Sequence, residues 1–197
     1  MTRQVARKSR TNYSAIQALP DGVIGEIIDG ELFTSPRPSP AHSLAQVGLS
    51  VEIGGPFQMG KGGGPGGWWI LVEPEIHLGS PGDQEGDVLV PDLAGWRRTR
   101  LPAIPTEAFL TVVPDWVCEV LSPTNQRLDR VRKVPKYAAC GVQHLWLVDP
   151  QQKTLEVFRL ENGKWLLLAA HAELDKVRAE PFESVEMNLG SLWGQSP

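Results

Sequence analysis

Two carboxylates set inside apolar stretches constrain this chain more than any other feature. Asp92 lies in Val88-Leu89-Val90-Pro91-Asp92-Leu93 and Glu119 in Trp116-Val117-Cys118-Glu119-Val120-Leu121. Both stretches read as buried strands. An ionised carboxylate in such surroundings costs roughly several kcal/mol unless a cation or strong donors meet it. A fold that keeps both acids must bring positive charge to them. With Lys133 following, the pair predicts a divalent-metal site with an attendant ammonium group, a combination suited to hydrolysis of phosphodiesters.

Strand alternation puts Asp92 on the side of Val88 and Val90, and Glu119 on the side of Val117 and Leu121. If the two strands are neighbours, both carboxylates converge at their C-terminal ends. Hard cations such as Mg²⁺ take carboxylate and backbone-carbonyl oxygens, which makes the Val120 carbonyl the natural third ligand. The competing reading is that each acid is a solvated strand end. Lys133 stands four residues after Asp129, so an exposed helical ion pair competes with a role beside a scissile phosphate. Glu26, His42 and Glu75 are candidate supporting residues, and Glu73 is a further plausible acid, although Glu73 and Glu75 could equally be solvated. The turn Ser122-Pro123-Thr124-Asn125 can return a helix over the strand end and bring Arg127 to phosphate oxygens. Trp96-Arg97-Arg98-Thr99-Arg100 is the densest basic run near Asp92, and Arg97, Arg98 and Arg100 are candidate backbone contacts on a nucleic acid.

Composition narrows the partners. A net charge of −4 over 197 residues gives no general attraction for nucleic acid, so such a partner needs a local basic patch. The two cysteines, Cys118 and Cys140, have no metal-ligand or redox spacing and read as buried thiols. No apolar run reaches the ~18 residues of a membrane span, and no secretory signal follows the basic first residues. A cytoplasmic protein with no membrane partner is the expectation.

Along the chain, residues 1–18 read as a flexible N-terminus and 19–197 as a single mixed α/β domain with one sheet. Asp29-Gly30 predicts a type I′ hairpin over residues 25–33. Ser39 is the expected N-cap of a helix with Leu44, Val47 and Val51 as its apolar recurrence. Gly54 to Gly67 reads as a glycine-rich loop. Within it Gly55 to Lys61 imitates a phosphate-binding loop, but Gly62 stands where a magnesium-holding Ser or Thr is required. Strands are expected over 68–78, 87–93, 115–121, 144–149, 154–160, 164–170 and 182–187. A helix is expected over 128–140, kinked or started by Pro135 and closed by Gly141. Trp69, Trp116 and Trp146 fall within strands and read as core.

Several of these segments, taken in order, resemble the Uma2 (DUF820) family, a branch of the restriction-endonuclease-like PD-(D/E)XK nucleases. The resemblance rests on Glu26-Ile-Ile-Asp-Gly30, Ser39-Pro-Ala-His42, Pro91-Asp92-Leu-Ala-Gly-Trp96 and Asp115-Trp-Val-Cys-Glu119-Val-Leu-Ser-Pro123. It continues through Asp129 to Lys133, Tyr137-Ala138, Gly141-Val142 and Trp146-Leu-Val-Asp-Pro150. It implies a central mixed β-sheet flanked by helices, with added N-terminal and C-terminal β-hairpins. It also implies Asp92 and Glu119 as ligands of Mg²⁺ (or Mn²⁺) in an endonuclease acting on nucleic acid, with DNA the expected substrate. The superfamily pattern has a lysine two residues after the second acid, where this chain has Leu121. The resemblance gives that role to Lys133 on the following helix. A homodimer is the expectation by analogy with nucleases that pair two sites on two strands. The alternatives are a catalytically inactive nucleic-acid-binding or protein-interaction module of the same fold, and a hydrolase of smaller phosphoesters.

Overall fold

The Asp29-Gly30 pair closes its hairpin as expected, with φ of 54° and 77° at the two turn residues, the positive values a type I′ turn demands. It joins β1 (Ile24–Ile28) to β2 (Glu31–Ser35). The structure, a computed structural model, describes residues 11–35, 37–79 and 86–195. Residues 11–18, assigned from sequence to the N-terminal segment, include a short helix, α1 (Ser14–Gln17). Tyr13 is fixed there by its hydroxyl bond to Glu75.

Helix α2 (Pro40–Leu49) starts where Ser39 accepts the His42 N–H, an N-cap that satisfies an otherwise orphaned donor. Its buried face is not the expected one. Leu44, Val47 and Val51 are 43%, 61% and 66% exposed, while Ala45, Leu49 and Ile53 are buried. The glycine-rich loop is also corrected, because the chain stays helical through a π-helical stretch, Ser50–Gln58, that buries Phe57. Gly64 is required beyond it, since a Cβ there would overlap Pro56.

The stretches 68–78 and 87–93 each divide in two. The first gives β3 (Trp68–Val72) and β4 (Ile76–Leu78), the second β5 (Asp87–Leu89) and the start of β6 (Leu93–Arg97). β3 pairs with β6 and β4 with β5, both antiparallel, so one long ribbon is broken at residues 73–75 opposite 90–92. Pro74 and Pro91 lie at the break and cannot donate to a ladder. Glu73 takes φ of 48° there, and its N–H bonds to the Asp92 carbonyl. The two halves of the ribbon enter different sheets.

The larger sheet runs β10-β9-β8-β7-β6-β3, with β7 (Trp116–Val120), β8 (His144–Asp149), β9 (Thr154–Glu161) and β10 (Lys164–Ala172). The smaller sheet runs β2-β1-β5-β4. The single-sheet expectation is thereby corrected to two main sheets joined by the broken ribbon, with a small two-stranded sheet besides. The central mixed sheet flanked by helices is as expected. β7 and β8 are parallel, which requires a crossover. It is supplied by α3 (Gln126–Leu128), a π turn at Asp129–Lys133, and α4 (Val134–Cys140). Pro135 sits in the first turn of α4, and the wider π turn before it absorbs the missing i→i−4 bond. Gly141 ends the helix at φ of 83°.

The expected C-terminal strand over 182–187 is reduced to β12 (Met187–Asn188), paired with β11 (Lys176–Val177). Phe182 instead packs its ring against Trp68, Trp116 and Trp146. Along β7, Trp116, Cys118 and Val120 enter the core shared with α2. Val117 belongs to the core on the other face, with Tyr137 of α4. Glu119 shares that parity, so it points toward the crossover helix.

Candidate active site at the junction of the two sheets

Asp92 occupies the crossing point of the ribbon, and Glu119 lies one residue from the end of β7. β6 and β7 are antiparallel neighbours, with Leu93 opposite Cys118. Asp92, just before the start of β6, therefore meets Glu119 near the C-terminal end of β7, rather than the two C-terminal strand ends meeting as expected. Asp92 accepts the Val120 N–H on Oδ2 at 2.7 Å. Its Oδ1 lies 3.0 Å from His42 Nε2 and 3.3 Å from Gln46 Nε2. Gln46 also donates to Glu73 Oε1 at 3.1 Å. The N-terminal turns of α2 thus hold both acids of the broken ribbon.

Glu119 Oε1 accepts the Tyr137 hydroxyl at 2.6 Å and lies 2.9 Å from Lys133 Nζ. The same ammonium reaches Glu26 at 3.1 Å and Asp129 at 3.7 Å, and donates to the Val90 carbonyl at 3.2 Å. Glu26 in turn accepts the Val90 N–H at 2.8 Å. Lys133 is 3% exposed and Glu119 1%, so the pair reads as a buried cluster rather than an exposed helical ion pair. One turn of helix separates Lys133 from Tyr137, which puts both over Glu119.

The electrostatics of the cluster are unbalanced. Glu26, Glu73, Asp92, Glu119 and Asp129 line one cavity of about 380 Å³ together with Lys133 and His42. Burial pushes the Glu119 carboxyl well above the ordinary carboxylate range; Lys133 opposes the shift, while Asp129, Asp92 and Glu26 add to it. Burial likewise pushes Asp129 up to about 6, against the pull of Lys133. Burial alone would lower Lys133, but Glu119, Glu26, Tyr137 and Asp129 outweigh it and raise the ammonium well above its usual value. His42 is raised as well, its burial overcome by Asp92. The carboxyl shifts come first from burial and then from neighbouring acids, while the raised Lys133 and His42 report the carboxylates crowded around them.

Among the described residues no ready-made cluster of three or more metal-binding His, Cys, Asp or Glu side chains occurs. The donor chemistry nevertheless fits a hard divalent cation: carboxylates dominate, no soft ligand lines the cavity, and Val120 lies between Asp92 and Glu119. The surplus of negative charge is what such a cation would relieve.

Other sequence-derived candidates fall elsewhere. Glu75 bonds to Tyr13 and to His77 at 2.7 Å and does not line the cavity, whereas Glu73 does. Arg97 ends β6, roughly 16 Å from Asp92 at ~3.3 Å per residue, and Arg98 and Arg100 follow it in a turn. Arg97 lies over Trp68, Arg98 over Trp69, and Arg100 pairs with Asp115 at 2.9 Å. Arg127 is exposed on α3 and also outside the cavity wall. Gln46, Tyr137 and Arg37 belong to the site or its wall without having been singled out. Gln46 had a signal, since it follows His42 by one helical turn.

Comparison with known proteins agrees with this fold. The crystal structure of a putative nuclease belonging to DUF820 from Anabaena variabilis ATCC 29413 superposes with a TM-score of 0.67. It shares 20% identity, over 93% of this chain and 97% of that one, a likeness of fold. No curated protein matches. The Uma2 family model, described as "Putative restriction endonuclease", matches residues 12–190. With nearly the whole chain covered, the protein belongs to the Uma2 family.

Proposed function

We propose that the chain is a divalent-metal-dependent endonuclease that hydrolyses phosphodiester bonds in nucleic acid, with DNA as substrate and Mg²⁺ or Mn²⁺ as cofactor. One observation carries the reading: Asp92, just before β6, and Glu119 of β7 line a single cavity in which a buried ammonium lies 2.9 Å from Glu119. Asp92, Glu119 and the Val120 carbonyl are the groups that would hold the cation. Bound there, it would supply Lewis acidity toward a phosphoryl oxygen and acidity for the attacking water.

The chain's own residues have separable tasks. His42 and Gln46 orient Asp92, and Tyr137 orients Glu119 through its hydroxyl. Lys133 keeps its proton because the surrounding carboxylates raise it. A lysine held in that state is a poor base. It serves instead to orient the attacking water and to neutralise charge developing on the phosphate. Its place on the crossover helix fills the role that Leu121 cannot.

Cleavage of plasmid and oligonucleotide DNA with Mg²⁺ or Mn²⁺ tests the proposal. Asp92→Asn and Glu119→Gln should each lower the rate by more than about a hundredfold, since even outer partners of a metal site cost 10–100-fold. Cleavage that survives in Asp92→Asn would refute the site. DNA binding without cleavage or metal uptake would favour the inactive binding module.

A further inference from the structure

The cavity wall contains a second cation with no assigned task. Arg37 follows β2, is exposed, and makes no ion pair or hydrogen bond among the described residues. Its freedom is unusual. Apart from Arg127, every other described arginine is engaged by a carboxylate, a backbone carbonyl or a tryptophan face. Arg127 does not line the cavity.

Arg37 also marks a boundary. A second cavity of about 380 Å³ adjoins the first and is lined by Gly22, Ile24, Ser35, Arg37, Pro38 and Glu73. All of these except Gly22 line the first cavity as well. Arg37 is thus the one cation that lines both spaces among the described residues.

We propose that Arg37 anchors the phosphate neighbouring the scissile one, so that the substrate strand runs from the acid cavity into the adjoining cavity. The inference rests on the nuclease reading above and adds the substrate contact that it lacks. A polyanion entering past five carboxylates meets repulsion that a metal offsets only at the scissile phosphate. Lys133 cannot help further out, because its ammonium is committed to Glu119, Glu26 and Asp129. An arginine with no partner among the described residues, on the wall of both cavities, supplies the missing charge. Its planar fork matches two phosphate oxygens at once, which a lysine does not. Nearby hydroxyls of Ser35 and Ser39 line the same wall.

Fluorescence anisotropy with a fluorescein-labelled mixed-sequence DNA single strand, in Ca²⁺, gives the binding readout, and cleavage kinetics in Mg²⁺ give the second. Arg37→Ala should weaken binding by about tenfold, the range of one charge-assisted contact. It should also flatten the dependence of log Kd on log salt by about 0.7, the value for one phosphate on a single strand. In kinetics the loss should appear in KM with kcat kept, while metal affinity and Tm stay at wild-type values. Arg37→Lys should restore the salt dependence but only part of the affinity. If wild type cleaves and Arg37→Ala matches it in KM and salt dependence, the anchor is overturned and the nuclease reading stands. If wild type binds DNA without cleaving it, and Arg37→Ala loses affinity and salt dependence as described, the phosphate contact of Arg37 stands, while the nuclease reading falls and with it the placement beside a scissile phosphate. A wild type that binds no DNA overturns the anchor.

Discussion

Asp115 and Glu119 stand at opposite ends of the same short strand, yet they are served differently. Asp115 has one oxygen 2.9 Å from Arg100 and the other accepting the Arg97 N–H at 2.9 Å. Its cation is its own, half-exposed and in reach of water. Glu119 shares a single buried ammonium with Glu26 and Asp129. One end of β7 is electrically closed. The other is short of positive charge. An acid matched one-to-one stabilises a corner of the fold, whereas a crowd of acids around one lysine is what the proposed cation site would require.

Removing the lysine gives the sharpest contrast. Lys133→Met should destabilise the metal-free protein by about 3–5 kcal/mol at pH 8, because it strands several buried carboxylates. Denaturant unfolding checks this, and added Mg²⁺ should recover part of the loss. A change within ~0.5 kcal/mol, the range of a surface substitution, would show that the two ends of β7 are not different.

The pH dependence separates the ends next. Asp129 titrates near 3.8 as a free carboxyl and at about 6 in the fold. Between those values the folded state holds more protons than the unfolded one, so its stability falls as pH rises through that window. Metal-free protein should accordingly lose stability from about pH 4 to about pH 6 on account of this group, and saturating Mg²⁺ should flatten the slope. Asp129→Asn should remove this contribution and stabilise the metal-free protein at pH 8 by on the order of 1 kcal/mol.

At the matched end the effects are smaller and leave chemistry alone. Asp115→Asn keeps an acceptor for Arg97 and should cost about 1 kcal/mol, as a partly exposed ion pair does. Arg98→Ala, which removes a guanidinium centred 3.9 Å from the Trp69 ring, should cost about 0.5–1 kcal/mol. Cleavage rates in both should equal wild type. A large loss in Arg98→Ala would instead return the far arginines to the substrate-binding surface.

Much of this was legible in local sequence. Asp29-Gly30 fixed a turn, Ser39 a helix start and Gly141 a helix end, because each position needs a side chain or a φ that few residues supply. The two acids were legible because a charge in an apolar stretch demands a partner. What failed were long-range choices. Residues 68–78 look like one strand, and only the pairing with 87–97 reveals that both stretches change sheets at Glu73 and Asp92. That break shifts the alternation, so Glu73 rather than Glu75 reaches the cavity. On α2 two apolar stripes have helical spacing, 44/47/51 and 45/49/53. The buried one was disguised because His42 and Gln46, its polar neighbours, serve the site. Proximity in sequence also misplaced the arginines after Asp92, since an extended strand carries them to its other end.

Titration calorimetry of Mn²⁺ into wild type and Asp92→Ala addresses the charge deficit most directly. Heat of binding in wild type that disappears in Asp92→Ala is the expected result, with protons released on binding near pH 6 as the raised carboxyls ionise. Equal binding in both proteins, or none in wild type with or without DNA, would contradict a cation site built on Asp92 and Glu119.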